Sequence, residues 1–183
     1  ETRSKRGAEI VQRLGFGSNV ANAVRAVDEH WDGGGQPKGL SGQQIPLLAR
    51  VICLAQALEV YTMLDGAGAA LGVAIQRGGK WFDPQLVAFA VEYELELNRL
   101  RALDGAALKG EAQDVEPGDP ALLAGPGALD RIALGFAEVV DAKSPFTAEH
   151  SYRMSDLALR IAQRLGYDGA GLASLRRAAL LHD

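Results

Sequence analysis

The chain has 183 residues, 48% of them hydrophobic and 23% charged, which is enough apolar material to bury a core in one or two small domains. Its net charge of −4 gives no basic footprint for a nucleic-acid duplex. The single cysteine, Cys53, excludes a disulfide framework and fits a buried thiol or a reducing, cytoplasmic setting.

No apolar run is read as approaching the roughly 20 residues that cross a bilayer, so no membrane segment is expected. No signal peptide is legible. Because the sequence begins with Glu1 rather than Met, the natural N-terminus is expected upstream.

In chain order the pattern is helical almost throughout. Glu9, Ile10, Arg13 and Leu14 form a short amphipathic turn ended by Gly15. Ser18 caps a second helix reaching about His30, with Val20, Ala23, Val24 and Val27 as its apolar stripe. Residues 32–44 are a glycine-rich loop. It follows a helix rather than a strand and lacks the Lys-Ser/Thr signature, which argues against a phosphate cradle. Its glycines allow a tight backbone path with Trp31 packed beneath, and both tryptophans, Trp31 and Trp81, are expected in the core.

Pro46 opens a helix that is apolar on most sides and therefore expected to be central. A short helix between Gly68 and Gly78 follows, and Asp83-Pro84 starts another that runs to about Leu97. Residues 99–128, rich in Gly, Pro, Ala and acid, read as a linker holding at most a helical turn. Three helical segments come after it. One spans about Leu129 to Ala142, one is capped by Thr147 and ends at Gly166, and one is capped by Asp168 and reaches His182. No strand-like alternation persists, so the predicted fold class is all-α.

The last two helices carry the candidate chemistry. His150, Met154, Leu157 and Ile161 share one helical face, as do Leu175, Ala179 and His182. The short link from Gly166 to Ala170 makes the two helices antiparallel neighbours, so His150 and His182 meet at one end of the hairpin. An imidazole on an apolar face needs a partner, and a metal is one. Asp183 adds an oxygen donor about 100° further round the helix. Such a nitrogen and oxygen set suits Fe, Mn, Zn or similar ions. By position alone a histidine at a helix end is more often a cap or a satisfied core residue, and spacing leaves both readings open.

Residues 141–183 resemble the beginning of an HD-GYP domain, a branch of the HD metal-dependent phosphohydrolases associated with cyclic di-GMP hydrolysis in bacterial signalling. The features that carry the resemblance are D-x-K-S-P-F-T-x-x-H-S, R-x-x-x-L-A, R-L-G and L-R-R-A-A-L-L-H-D. The resemblance implies that His150, His182 and Asp183 are metal ligands, with no catalytic residue named beyond them. Phe146 stands where members with a third metal carry Glu, which implies two divalent ions, Fe or Mn.

The first half is similar to the closing part of the same domain type. Asp28-Glu29-His30-Trp31-Asp32-Gly33-Gly34-Gly35-Gln36-Pro37 stands against H-H-E-x-x-D-G-x-G-Y-P, and GLSGQQIPLLARVICLAQALEV and WFDPQLV match later segments. The departures are specific. Val27 and Asp28 replace the paired histidines, Gln36 replaces the Tyr of GYP, and Gln56 replaces a metal-binding Asp.

The arrangement implied is the C-terminal part of a degenerate HD-GYP-like domain over 1–98, a linker over 99–128, and the N-terminal part of an HD-GYP domain over 129–183. The expected function of the parent is hydrolysis of a cyclic dinucleotide or related phosphoester by a two-metal-activated water, in the cytoplasm. The fragment alone is expected to be inactive. The alternative is a non-catalytic scaffold acting through partner or homodimer contacts. Arg153 and Lys143 are near enough in sequence to meet a phosphate, with surface solvation the commoner role for such residues.

Overall fold

The computed structural model describes residues 3–115, 125–141 and 149–182. They form helices and turns, and among them the sole sheet-like pairing is an isolated bridge between Gly78 and Phe82. The fold is all-α, as the sequence predicts. The chain divides into two compact units, Glu1–Ala8 with Asn22–Ala121, and Glu9–Ala21 with Leu122–Asp183. Two of its three boundaries fall within α1 (Arg3–Leu14) and α2 (Ser18–Arg25).

The first unit is built around α3 (Leu47–Asp65), which packs on α4 (Ala67–Arg77), α5 (Pro84–Val91) and α6 (Glu94–Ala102). Leu54 and Leu58 of α3 meet Leu71 of α4, Phe82 and Val87. Each such side chain contributes about 1.5–3 kcal/mol when fully buried. Gly66, at φ 92°, turns α3 into α4 in a backbone conformation that suits glycine. Asp83 caps α5 as predicted, accepting from the Gln85 N–H at 2.9 Å with Pro84 following. Its other oxygen meets Arg50 Nη1 at 2.6 Å, so this buried carboxylate is fully engaged.

Several expectations need correction. Helix α3 has 19 residues and is long and apolar enough, by length and composition alone, to cross a bilayer. It is central to its unit, as expected, but its apolar surface is not all covered: Leu47, Leu48, Met63 and Leu64 are at least half exposed among the described residues. Helix α2 ends at Arg25 rather than near His30, and the helix from Pro84 breaks at Glu92-Tyr93. The described part of the expected linker is helical through Ala102 and again in α7 (Gly105–Asp114). Asp104 caps α7 by accepting from the Ala106 and Ala107 N–H groups. Arg99 bridges Glu96 and Glu111 and ties α6 to α7. Local capping and one bidentate cation order a stretch whose composition lacks an apolar face.

The second unit holds α8 (Pro126–Asp141), α9 (His150–Arg164) and α10 (Gly169–Leu180). Ala133 and Ala137 of α8 pack with Leu180 of α10. Gly15, at φ 97°, ends α1 as predicted, and α1 lies against α8 so closely that a Cβ on Gly135 would fall 2.6 Å from Leu14 Cδ2. Arg177 Nε donates to Asp130 Oδ1 at 2.6 Å, linking α10 to α8. Asp168 stands at the N-cap of α10 without the side-chain hydrogen bond expected of it. The expected cap Thr147, with Lys143 and Phe146, lies outside the described residues.

Candidate metal centre

Helices α9 and α10 run as an antiparallel pair, so the first residue of one meets the residue just beyond the other. His150 and His182 stand with ring centroids 5.4 Å apart and planes tilted by 45°. At that spacing one ion at about 2.1 Å from a nitrogen of each ring fits between them. His182 Nδ1 lies 3.0 Å from the Ala179 carbonyl oxygen. The tautomer that donates there carries its lone pair on Nε2, the arrangement that second-shell hydrogen bonds impose on ligating histidines.

Asp183, the third expected ligand, lies outside the described residues. Among the described residues no three His, Cys, Asp or Glu side chains gather into a metal-holding group.

The face that α9 buries is not the predicted one. Leu157 and Ile161 are more than half exposed, whereas Ser151, Ser155 and Ala162 are buried. His150 is half-buried at the margin of that small-residue face, and His182 is exposed. What holds His150 in place went unread in the sequence. Ser151 Oγ donates to Asp141 Oδ1 at 2.9 Å, with the two residues 1% and 4% exposed. This bond ties the end of α8 to the start of α9, one residue from His150. Both residues lie in the quoted D-x-K-S-P-F-T-x-x-H-S stretch, so the signal was present but carried no role. Beside it, Tyr152 donates to Glu138 Oε1 at 2.8 Å, and Arg13 pairs with Glu138. Arg153 meets Glu149 on the surface at 3.5 Å.

In the first unit, Val27, Asp28 and Gln56 line one cavity of about 340 Å3 together with His30, Arg77 and Trp81. Gln36 lies apart from Gln56, in an adjoining cavity of similar size that also includes Asp28 and His30. Glu29 is 2% exposed and takes no outward role. Its carboxylate accepts from the Lys38 N–H at 2.7 Å and the Leu40 N–H at 2.9 Å, folding the glycine loop back on itself. Gly35 is required at its place, because a Cβ there would fall 2.2 Å from the His30 nitrogen.

Trp81 is not a core residue as expected. It is 42% exposed, stacks on His30 at 4.5 Å and lies under the Arg77 guanidinium at 4.2 Å. Burial pushes the Cys53 thiol above its ordinary range, and the nearby Asp28 carboxylate adds to the shift. Cys53 is therefore a neutral thiol on the cavity wall.

Residues 1–86 match the family described as an HD domain. Over its whole length the chain is 39% identical to a Vibrio cholerae protein named 3'3'-cGAMP-specific phosphodiesterase 3, of which it covers 40%. A second Vibrio cholerae protein, named "Probable cyclic di-GMP phosphodiesterase", is 38% identical over 83 residues, 40% of this chain and 19% of that one. A crystal structure of a cyclic GMP-AMP-specific phosphodiesterase from V. cholerae superposes with a TM-score of 0.79 at 37% identity, covering all of this chain and 44% of that one. The chain thus spans about two fifths of the length of the relative and the solved structure that it matches along its whole length.

Proposed function

We infer that this chain is a segment of a metal-dependent HD-superfamily phosphodiesterase that hydrolyses a cyclic dinucleotide. The observation that carries the reading is the approach of His150 to His182 at one end of the α9–α10 hairpin. Similarity along the whole chain to a protein named for cyclic GMP-AMP hydrolysis supports the substrate class.

On this reading His150, His182 and Asp183 hold a divalent metal, with Fe or Mn suited to the mixed nitrogen and oxygen donors. When bound, such ions activate water and neutralise charge on phosphate oxygens. The residues of this chain bind and orient: the Ser151–Asp141 bond sets the start of α9, and the Ala179 carbonyl sets the ring of His182. Three donors from one hairpin do not close a two-metal site, so the reading draws the remaining ligands from a parent of the relatives' length. The first unit is then a degenerate HD-GYP-like part without a metal centre, since Val27 is no ligand and Glu29 is spent on the loop.

The test uses the longer protein containing this segment, purified with its native metal. Bound metal and turnover of cyclic GMP-AMP and cyclic di-GMP, both lost in His182→Ala, are expected. A metal-free protein that hydrolyses neither nucleotide would sink the proposal and leave a binding or scaffold role.

A further inference from the structure

The end of α2 and the glycine loop enclose a cavity of about 230 Å3, lined by Asn22, Arg25, Glu29, Lys38 and Gln44 among others. It shares no lining residue with the cavity of Val27, Asp28 and Gln56. Two cations line it without a counter-charge. Among the described residues the Arg25 guanidinium makes no hydrogen bond or ion pair, and its Nε is buried without an acceptor. The Lys38 ammonium is likewise unpaired among the described residues. A buried donor left in this state is unfavourable and calls for an anion or water to complete it.

The groups that could oppose an anion here are already engaged. Glu29 also lines the cavity, but its carboxylate accepts from the Lys38 and Leu40 N–H groups at 2.7 and 2.9 Å and pairs with neither cation. At the end of α2 the Asn22 and Ala23 carbonyls both accept from the Ala26 N–H at 3.1 Å, and the Ala26 carbonyl accepts from the Glu29 N–H at 3.1 Å. Gln44 Oε1 accepts from the Ser41 N–H at 3.2 Å, which leaves the amide nitrogen as the free donor of that side chain. The same bonds hold the loop in shape before any ligand arrives, so little ordering is left for binding to accomplish.

We propose that this cavity binds a phosphoryl group, either free phosphate or the phosphate of a small monoester. Its volume lies below the roughly 300 Å3 at which cavities for whole small ligands begin, so it admits a compact group rather than a nucleotide. The donors come from three places, Asn22 and Arg25 on α2, Lys38 on the loop and Gln44 on the turn that follows it. Three or four oxygens on a tetrahedral centre can meet donors from several directions, whereas a planar carboxylate offers two oxygens in one plane. Arg25 supplies the fork that suits a phosphate, and Lys38 supplies a point charge. The inference uses no residue of the metal centre and stands apart from the hydrolase reading.

The experiment uses this chain of 183 residues in EDTA, so that no metal at His150 or His182 can recruit phosphate and a negative result says nothing about hydrolysis. Inorganic phosphate, phenyl phosphate and acetate are titrated by equilibrium dialysis. Saturable phosphate binding with a Kd near or below about 1 mM is expected, with acetate at least about tenfold weaker. Arg25→Gln is expected to weaken phosphate at least about tenfold and Lys38→Gln about threefold, each with the circular dichroism unchanged. Lys109→Gln, a charge change of the same size on α7, is expected to bind as the parent chain does.

Binding of both phosphates identifies any phosphoryl group as the ligand. Binding of inorganic phosphate alone identifies the free ion, and binding of phenyl phosphate alone identifies a monoester. Acetate binding as tight as that of phosphate overturns the assignment. So do folded Arg25→Gln and Lys38→Gln variants with undiminished affinity, an equal loss in Lys109→Gln, or no saturable binding of either phosphate at millimolar concentration.

Discussion

The Ser151 hydroxyl donates to Asp141 across the gap between α8 and α9, at 2.9 Å and in near-complete burial. Next to Ser151 in sequence is His150, whose ring faces His182. The bond fixes where α9 begins, and so where the first imidazole stands. A hydrogen bond to a carboxylate is worth about 1.5–3 kcal/mol. Ser151→Ala is expected to lower stability by about that amount in urea denaturation, and to weaken metal binding through displacement of His150. Unchanged metal affinity in the folded variant would restrict the bond to a structural role.

If His150 and His182 hold the same ion, their contributions are not independent. Alanine at either position is expected to remove most of the Mn2+ affinity, and alanine at both to remove little more. Isothermal titration of the two single variants and the double variant measures this directly. Additive losses would mean that the rings serve separate sites.

The glycine loop makes a sharper demand than its composition suggests. Gly35→Ala forces a Cβ to 2.2 Å from backbone and is expected to destabilise by about 3 kcal/mol or more. Gly72 lies in α4 with open space around it, and Gly72→Ala is expected to stabilise by about 0.4–1 kcal/mol. Thermal melts of the two variants should move in opposite directions.

Asp130 carries a pH signature. The Arg177 guanidinium donating to it holds its carboxyl below the ordinary carboxylate range, against a smaller opposing effect of burial. A depressed folded-state value means the stabilisation is present above the ordinary aspartate range and is lost as pH falls through the folded value. Asp130→Asn is expected to flatten that part of the acid limb of a stability–pH curve by lowering stability at neutral pH, where the pair is formed, and not at acid pH, the drop being small because the pair is partly exposed. An acid limb identical to that of the unmodified chain would show that the α8–α10 tie adds no pH dependence.

What was legible in the sequence is what depends on neighbours along the chain. Helical periodicity identified an all-α fold, Asp83-Pro84 marked the start of α5, and Gly15 marked the end of α1. The hairpin of α9 and α10 followed from a short link, and with it the meeting of His150 and His182. Tertiary structure decided the rest, because burial and pairing depend on residues distant in sequence. The buried face of α9 is Ser151, Ser155 and Ala162, since small residues allow helices to approach more closely than the Leu157–Ile161 stripe would. Glu29 has no legible role until the loop folds back and its carboxylate accepts two backbone N–H groups. Trp81 reads as core until His30 and Arg77 are placed on it. A carboxylate or an indole has no fixed role in a sequence; its role is set by which donors, rings and solvent reach it once the helices have packed.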